Sequence, residues 1–290
     1  MSPARAVLAG VPIGDDHPVA VMGVLNVSPE SFYAGSVHRR LDDLVDAALG
    51  MVREGAVLID VGARSTAPYL PSAIDEAEEA ERLGRALEVL AAKVPVPISA
   101  DTARARVAEV ALAAGARVIN DVSGLRDPAL AALARERGVG LILMASPPAH
   151  ARGSAAADAG RDPVEAVRRL LDGALQRARA AGLAEENVVL DPGIGFFRDE
   201  PVRSDEWDVA VLAGLGTLAA LGRPLCVGVS RKSFVGALTG RADPAARLPG
   251  SLAATAMAVF NGAALIRTHD VGPTLDAVRV AARARRVDRR

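Results

Sequence analysis

Eight short apolar runs, separated by segments of helical periodicity, limit what this chain can fold into more than any other feature. Val, Ile and Leu follow one another in these runs without alternation, which indicates strands buried on both faces, as in a parallel sheet covered by helices. Eight such strand–helix units predict an α/β fold, a (β/α)8 TIM barrel that spans residues 1–290 as one domain. A doubly wound open sheet is the structural alternative, although it normally has fewer repeats. The predicted strands lie near residues 20–25, 57–61, 97–100, 117–119, 140–144, 187–190, 225–229 and 264–266.

The composition excludes several classes of protein. Of the 290 residues 50% are hydrophobic and 3% are aromatic, which supplies enough apolar material for a barrel and too few rings for a base-stacking platform. The net charge of -1 gives no global attraction to nucleic acid or to a membrane surface. The single cysteine, Cys226, lies inside an apolar strand, where packing explains it better than catalysis. We therefore expect a cytoplasmic protein that has small-molecule substrates and binds neither nucleic acid nor membrane.

Polar residues stand at the ends of several predicted strands, and Asp101, Asn120 and Asp191 form the most informative set. The C-terminal ends of barrel strands meet at one face, so we expect these side chains to converge. Two carboxylates and an amide complement a ring that carries amidine-like N–H groups beside a carbonyl, and they could also bind a divalent metal. Simpler roles remain open, with Asp101 as the N-cap of the next helix and Asp60 as the residue that fixes the turn at Gly62.

A second polar cluster is predicted where the last two strands end. The motif SRKS, residues 230–233, places Lys232 between two hydroxyls, and Arg267 and His269 follow the neighbouring strand. The loops after the last barrel strands often bind phosphate, and helix N-terminal amides with an arginine favour a phosphate or pyrophosphate group. The simpler reading makes Lys232 a surface lysine and Ser230 a helix cap. The presence of Arg267 and His269 favours the anion site.

Two segments rich in turn-forming residues are predicted to be mobile loops, near residues 27–38 and 145–162. Each follows a predicted strand, so both belong to the face where a barrel carries its chemistry. Connections of this length in a compact domain are usually functional or disordered. We therefore expect these loops to border the substrates.

An ordered set of eight motifs covers residues 22–271: MGVLNVSPESF, DVGARSTAP, ISADT, VINDVSG, DPGIGF, VGVSRKS, GSLAA and IRTHDV. In the sequence and order of these motifs the chain resembles the dihydropteroate synthase family. The resemblance implies a (β/α)8 barrel that joins 6-hydroxymethyl-7,8-dihydropterin pyrophosphate to an arylamine, usually p-aminobenzoate, and releases pyrophosphate in folate synthesis. It also implies a magnesium cofactor and a homodimer formed through the late helices.

The resemblance further implies groups of site residues. The pterin ring would be bound by Asp101, Asn120, Asp191 and Lys232. The pyrophosphate would be bound by Asn26, Arg267 and His269, and Asn26 would also bind the metal. Ser65 and Thr66 would lie on a mobile acceptor loop, near residues 62–72, close to the arylamine and the leaving group. The catalytic residues would be those that offset charge in the transition state, namely Asp101, Lys232, Arg267 and His269.

Three departures from the family pattern concern the acceptor side. The family commonly reads Gly-Gly-Glu-Ser-Thr-Arg-Pro where this chain has residues 62–68, so that Ala67 replaces an arginine. Ala145 stands where the family often has a histidine, and Arg198 where it often has a lysine, a change that need not be conservative. These changes raise an alternative with the same chemistry, in which ribofuranosylaminobenzene 5'-phosphate is the acceptor for tetrahydromethanopterin synthesis, as in the archaeal and methylotroph-type branch.

Two further alternatives belong to other classes. A pterin-dependent methyltransferase domain would share the Asp and Asn residues but needs no pyrophosphate site, so Lys232, Ser233, Arg267 and His269 speak against it. A non-catalytic paralogue that binds pterin is compatible with the changed loop, but the retained anion residues favour an enzyme. The sequence therefore favours a transferase of a dihydropterin-methyl group, of the dihydropteroate synthase type.

Overall fold

Eight parallel strands form a closed barrel in the computed structural model, which describes residues 4–27, 37–63, 74–146, 162–197 and 202–288. After an N-terminal hairpin of β1 (Arg5–Leu8) and β2 (Val11–Gly14), the barrel strands are β3 (Ala20–Asn26), β4 (Leu58–Gly62), β5 (Ile98–Asp101), β6 (Val118–Asp121), β7 (Gly140–Met144), β8 (Val188–Asp191), β9 (Cys226–Val227) and β10 (Leu265–Thr268). Neighbours pair in chain order, β10 pairs with β3, and a parallel bridge between Leu190 and Leu225 closes the circle. The predicted barrel is confirmed, and each strand begins and ends within two residues of its predicted bounds.

Helices cover the outside of the barrel, and their ends follow local sequence signals. They are α1 (Val37–Glu54), α2 (Glu76–Lys93), α3 (Ala105–Ala113), α4 (Pro128–Arg137), α5 (Pro163–Ala180), α6 (Ser204–Ala213), α7 (Leu215–Leu218), α8 (Ser233–Thr239), α9 (Leu248–Phe260) and α10 (Val271–Asp288). Asp75 caps α2, because its carboxylate accepts a hydrogen bond from the Glu78 amide at 2.7 Å. Asp127 and Asp162 each cap a helix whose first residue is proline. Among the described residues, no helix has the length and apolarity that crossing a membrane requires.

Two apolar layers hold the barrel together, one between strands and helices and one inside the strands. Side chains alternate along each strand, so that Ile59 and Val61 of β4 join the outer layer while Leu58 joins the inner layer. Both layers are buried, which explains why the strands read as unbroken apolar runs. Cys226 belongs to the inner layer, and burial raises the pKa of its thiol. Toward the C-terminal ends of the strands the inward positions become polar.

The N-terminal hairpin covers the inner layer at the N-terminal end of the barrel, and the sequence did not predict it. Leu8 and Ile13 are fully buried and belong to the same cluster as Met22 of the first barrel strand. Leu8 lies against Gly140, where β7 begins, so closely that a Cβ at Gly140 would stand 2.9 Å from its Cδ2. The hairpin strands are partly exposed, so they lack the unbroken apolar run that marks the barrel strands. The contacts that stabilise the hairpin are made with the barrel interior, which a local sequence pattern does not show.

The edges of the predicted loops differ from the structure. Residues 37–38 belong to α1, and Gly62 belongs to β4. Residues 28–36, 64–73 and 147–161 lie outside the described residues. The mobility of these segments stays a prediction.

We expect Leu8→Ala to destabilise the protein by about 2 to 5 kcal/mol, because the truncated side chain leaves a cavity beneath a closed barrel. Val7→Ala is the matched control, since Val7 is the preceding residue of the same strand and its side chain is 44% exposed. The control should change the free energy of unfolding by no more than about 0.5 kcal/mol. Urea unfolding of both variants checks this prediction. Equal effects would show that the hairpin contributes nothing to the core.

Candidate active site

Five polar side chains from five strands converge at the C-terminal end of the barrel. They are Asp60 of β4, Asp101 of β5, Asn120 of β6, Asp191 of β8 and Arg267 of β10. The three aspartates and the asparagine are more than nine-tenths buried. Strand register brings them into line, since Asp101 pairs with Asn120 on the neighbouring strand. The structure thus brings together the three residues that the strand-end pattern singled out, and it adds Asp60.

Arg267 is the centre of this cluster. Its Nε donates to Oδ2 of Asp60 at 2.7 Å, and its Nη2 donates to Oδ2 of Asp101 at 2.9 Å. Asn120 donates from Nδ2 to the same Asp60 oxygen at 3.1 Å. Burial opposes the charge of Arg267, but the two carboxylates outweigh it and raise the pKa of the guanidinium. Asp60 therefore has a different role from the turn residue considered in the sequence: it anchors the cation of the site.

Asp191 faces Arg267 from β8, and its carboxyl group is buried. Its Oδ1 accepts a hydrogen bond from the Gly193 amide at 2.7 Å. Burial raises the pKa of Asp191, and the Gly193 hydrogen bond and the charges of Lys232 and Arg267 oppose this shift only in part. Because the existing partners offset the cost of burial only in part, a ligand that donates hydrogen bonds to this carboxyl group would stabilise it further.

Lys232 enters the cleft beside Asp191 and rests on an aromatic ring. Its Nζ stands 4.5 Å from the centroid of the Phe196 ring, a cation–π geometry. The lysine stem passes over Gly195, which has a φ of +88°, and a Cβ there would come within 2.9 Å of the Lys232 Cδ. Met144 and Ile194 complete the apolar lining of the cleft. Apolar walls around a few convergent polar groups are the usual form of a small-molecule site.

The segment before Lys232 is held in a strained conformation by residues from three other places in the chain. Arg231 has a φ of +56°, which is uncommon outside glycine. Its amide donates to Oγ of Ser251 at 2.8 Å, and its carbonyl accepts from Nη1 of Arg247 at 3.0 Å. Its guanidinium makes two bonds to Asp270, at 2.6 and 3.0 Å. Strained residues persist where the surroundings over-determine them, and they concentrate at functional sites.

His269 and Asn26 lie on the neighbouring strands at the rim. Nδ1 of His269 lies 3.1 Å from Oγ of Ser230, so the ends of β9 and β10 are joined by a side-chain hydrogen bond. Burial and the nearby charges of Arg267 and Arg231 lower the pKa of His269 to about 4. Asn26 is the last residue of β3, and its side chain is exposed. The described contacts therefore give His269 a fixed neighbour, while Asn26 stands open to a ligand.

Several predicted acceptor residues cannot be placed in the site. Ser65, Thr66, Ala67 and Arg198 lie outside the described residues. Ala145 is fully buried in the outer apolar layer, with its backbone amide bonded to the Asp191 carbonyl at 2.8 Å. The preceding residue, Met144, is the one that lines the cleft. The expectation that the change at Ala145 concerns the acceptor side is therefore wrong, because strand alternation turns this residue away from the cleft.

Sequence reasoning missed some members of the site. The sequence suggests for Asp60 only the role of fixing the turn at Gly62, and it does not single out Phe196 or Met144. Asp121, which also ends a strand, points the other way: its carboxylate accepts from the amides of Ser123 and Leu125 and fixes a turn. The signal that could have separated Asp60 from Asp121 is their register relative to Asp101, which a single sequence does not show.

Known proteins that are similar to this chain support the interpretation of the cleft as an active site. A family model described as "Pterin binding enzyme" matches residues 22–269. A dihydropteroate synthase from Mycobacterium leprae (strain TN) is 42% identical over 91% of this chain and 92% of its own length. The chain belongs to the dihydropteroate synthase family. It is therefore a transferase, as the sequence predicted.

Solved structures of the family share the whole fold. Dihydropteroate synthase from Xanthomonas albilineans with 4-aminobenzoic acid superposes with a TM-score of 0.84, at 36% identity, over 98% of both chains. The enzyme from the same organism in complex with 7,8-dihydropteroate has a TM-score of 0.81, also at 36% identity, and the match covers 97% of this chain and 98% of the other. The single-domain barrel of this chain is thus the fold of the family.

We expect Asp191→Asn to raise the melting temperature of the ligand-free protein at neutral pH and to lower its activity. Burial raises the pKa of Asp191, so the folded protein holds this proton more tightly than the unfolded chain does, and stability falls as pH rises through the folded pKa. Asparagine removes that penalty and keeps an oxygen for the Gly193 amide. A lost hydrogen bond to a charged group costs about 1.5 to 3 kcal/mol, so kcat/KM should fall at least about tenfold.

Thermal unfolding from pH 3 to 8 and steady-state kinetics check both parts. Asp276→Asn is the matched control, because the Asp276 side chain is 78% exposed at the surface of α10. The gain in melting temperature should vanish in acid, where Asp191 is protonated in both states. A variant that is less stable than the parent at neutral pH would contradict the burial penalty.

Proposed function

We propose that this chain condenses 6-hydroxymethyl-7,8-dihydropterin pyrophosphate with p-aminobenzoate and releases pyrophosphate in folate biosynthesis. The observation that carries the proposal is one cleft in which buried carboxylates and an amide stand beside a cationic rim. Its relatives and structural neighbours are dihydropteroate synthases, among them one solved with 4-aminobenzoic acid.

The floor of the cleft fits the pterin ring. Asp101, Asn120 and Asp191 offer oxygen acceptors and one amide donor, which complement the ring N–H groups and carbonyl. Lys232 supplies a further donor from the side, and the apolar walls exclude water from the ring faces. The buried carboxylates are held in place before any ligand arrives, so that binding spends little free energy on ordering them.

The rim fits the pyrophosphate group. Arg267 uses two of its N–H groups on Asp60 and Asp101, and a guanidinium has five. The remaining donors, with His269 and the Lys232 charge, favour an anion beside the pterin methylene. The pyrophosphate would thus share its arginine with two carboxylates of the floor.

Magnesium fits the residues at this rim. The amide oxygen of Asn26 is a hard ligand and is exposed at the end of β3. Within the described ranges, no group of three or more His, Cys, Asp or Glu side chains could hold a metal. Magnesium commonly keeps several waters and binds through substrate phosphates instead of a full protein cage. Bound with the pyrophosphate, it would neutralise charge on the leaving group.

The reaction follows from these positions. The bond between the pterin methylene carbon and the pyrophosphate oxygen breaks, and the oxygen leaves with the electron pair. Arg267 and His269 stabilise the charge that develops on this oxygen, and Asp101 stabilises the cationic methylene. The amine nitrogen then forms the new bond to the methylene and loses a proton to solvent. No covalent bond to the protein is required.

The folate acceptor is favoured over the larger one. The relatives include dihydropteroate synthases of the bacterial type, and no finding favours ribofuranosylaminobenzene 5'-phosphate. The similarity to dihydropteroate synthases also favours a synthase over a methyltransferase domain or a non-catalytic paralogue. Ala145, one of the changes that raised the question, faces away from the cleft. The described part of the site therefore gives no reason to expect an unusual acceptor.

We expect pyrophosphate release from the dihydropterin substrate with p-aminobenzoate and magnesium. The assay runs in parallel with ribofuranosylaminobenzene 5'-phosphate, and preference for that amine would overturn the folate assignment. Chelation of magnesium should abolish release if the metal acts on the leaving group. Arg267→Lys should lower kcat/KM at least about tenfold, since lysine cannot serve two carboxylates and the anion at once. Arg279→Lys on the exposed face of α10 is the control and should leave kcat/KM unchanged.

We propose a homodimer formed through the last two long helices. Met257 and Phe260 of α9 and Val280 and Val287 of α10 are large apolar side chains exposed to solvent. The two helices pack against each other, so the exposed side chains lie on neighbouring helices. A patch of exposed apolar groups commonly marks a protein interface.

We expect light scattering to give twice the mass of the chain, and Val280→Glu to shift the protein toward monomer by placing a charge in the apolar contact. Val7→Glu is the control, because Val7 is exposed on the hairpin. A parent protein that is monomeric at micromolar concentration would refute the dimer.

We also propose a cytoplasmic location. Cys226 is a free, fully buried thiol in the inner layer of the barrel. Unpaired thiols persist in reducing compartments.

A further inference from the structure

Ser230 and His269 form a pair just after the ends of β9 and β10. The proposed reaction gives a role to the histidine but none to the serine. Two contacts join them. The backbone amide of His269 donates to Oγ of Ser230 at 3.3 Å, and the same Oγ lies 3.1 Å from Nδ1 of the His269 ring. One hydroxyl therefore contacts both the main chain and the ring of a single residue.

The contacts of Ser230 favour one direction for the second bond. A backbone N–H can only donate, so it occupies one of the two acceptor positions on Oγ. If a protonated Nδ1 occupied the other, the hydroxyl hydrogen would have no protein acceptor, since among the described residues Oγ contacts only these two nitrogens of His269. The arrangement that uses the hydroxyl hydrogen within the protein is the one in which Nδ1 accepts it. A neutral imidazole whose Nδ1 accepts carries its proton on Nε2.

The charges around the ring favour this neutral form. Burial comes first, and Arg267, Arg231 and Lys232 add positive charge on the strand end and on the preceding loop. Together they lower the pKa of His269 to about 4. Asp270 is the carboxylate that opposes them, but both of its oxygens are bonded to Arg231.

Ser230 is itself held in place by the strained residue that follows it. Arg231 has a left-handed backbone and is fixed through Ser251, Arg247 and Asp270. These bonds fix the backbone next to Ser230, and the His269 amide holds the Ser230 hydroxyl beside the ring. Since both partners are fixed, the hydrogen bond specifies the tautomer as well as the orientation of the ring.

We propose that Ser230 is a positioning residue that holds His269 as the neutral Nε2–H tautomer, so that the ring presents an N–H donor to the leaving pyrophosphate. The identity of that anion rests on the proposed function, whereas the tautomer does not. A neutral donor stabilises charge on the leaving oxygen without adding a fourth positive charge beside Arg267, Arg231 and Lys232. Pyrophosphate is then bound by a donor whose direction is set before the substrate arrives.

Nitrogen NMR of the full chain labelled on histidine tests the tautomer directly. The sequence has four histidines, and His269→Gln identifies the signals of His269. At pH 7 the parent protein should show a protonated Nε2 and an unprotonated Nδ1. Ser230→Ala should increase the Nδ1–H or exchanging fraction, and Ser230→Thr should restore the parent pattern because it keeps the hydroxyl. A protonated Nδ1 in the parent protein at pH 7 would overturn the proposal.

Kinetics and titration with inorganic pyrophosphate and magnesium test the donor role. Ser230→Ala should weaken pyrophosphate binding and lower kcat/KM for the dihydropterin substrate by about threefold to tenfold, with no change in KM for p-aminobenzoate and with rescue by Ser230→Thr. Unchanged tautomer signals and unchanged pyrophosphate affinity in Ser230→Ala would overturn the positioning role. If pyrophosphate leaves the Nε2–H signal of the parent protein unmoved, the donor role fails. Pyrophosphate release by that same protein would show that the proposed function survives this failure.

Discussion

The ion pairs of Arg267 with Asp60 and Asp101 are the interaction on which the rest of the site depends. The Arg267 guanidinium binds two buried carboxylates and offsets the charge of both. Arg267 reaches them from β10, which is separated from β4 by β3, and Asn120 adds an amide donor to Asp60. With Asp191 and Lys232 included, three carboxyl groups face two cations. Their oxygens are complementary to pterin N–H groups and to a methylene that becomes cationic.

The alternation of barrel strands decides which polar residues join this cluster. Asp60 and Asp121 look alike in the sequence, since each follows an apolar run and precedes a valine. Asp60 points inward and binds Arg267, while Asp121 points toward the helices and fixes a turn. The sequence predicted the eight strands and the convergence of Asp101, Asn120 and Asp191, because unbroken apolar runs and polar strand ends are local patterns. It could not separate inward from outward positions, since both faces of each strand are apolar.

Other features depend on contacts between distant parts of the chain, and no local pattern reports them. The left-handed backbone of Arg231 is stabilised by Ser251, Arg247 and Asp270, which lie up to 39 residues away. The motif SRKS predicted a cation between two hydroxyls, but the use of Ser230 on His269 appears only when β9 and β10 are adjacent. The hairpin over the N-terminal end of the barrel is a similar case, because its buried residues pack against the barrel interior and not against each other alone.

The distribution of stability in this fold follows from the same charges. Buried carboxylates such as Asp191 destabilise the ligand-free protein, and the two apolar layers around the strands offset that cost. An apolar residue in place of Asp191 would remove the penalty but also the acceptor that a pterin ring requires. The penalty is smallest when a donor is bound, so part of the binding free energy of the ring comes from relieving it. The site thus gains affinity and transition-state stabilisation from the same unfavourable burial that limits the stability of the empty barrel.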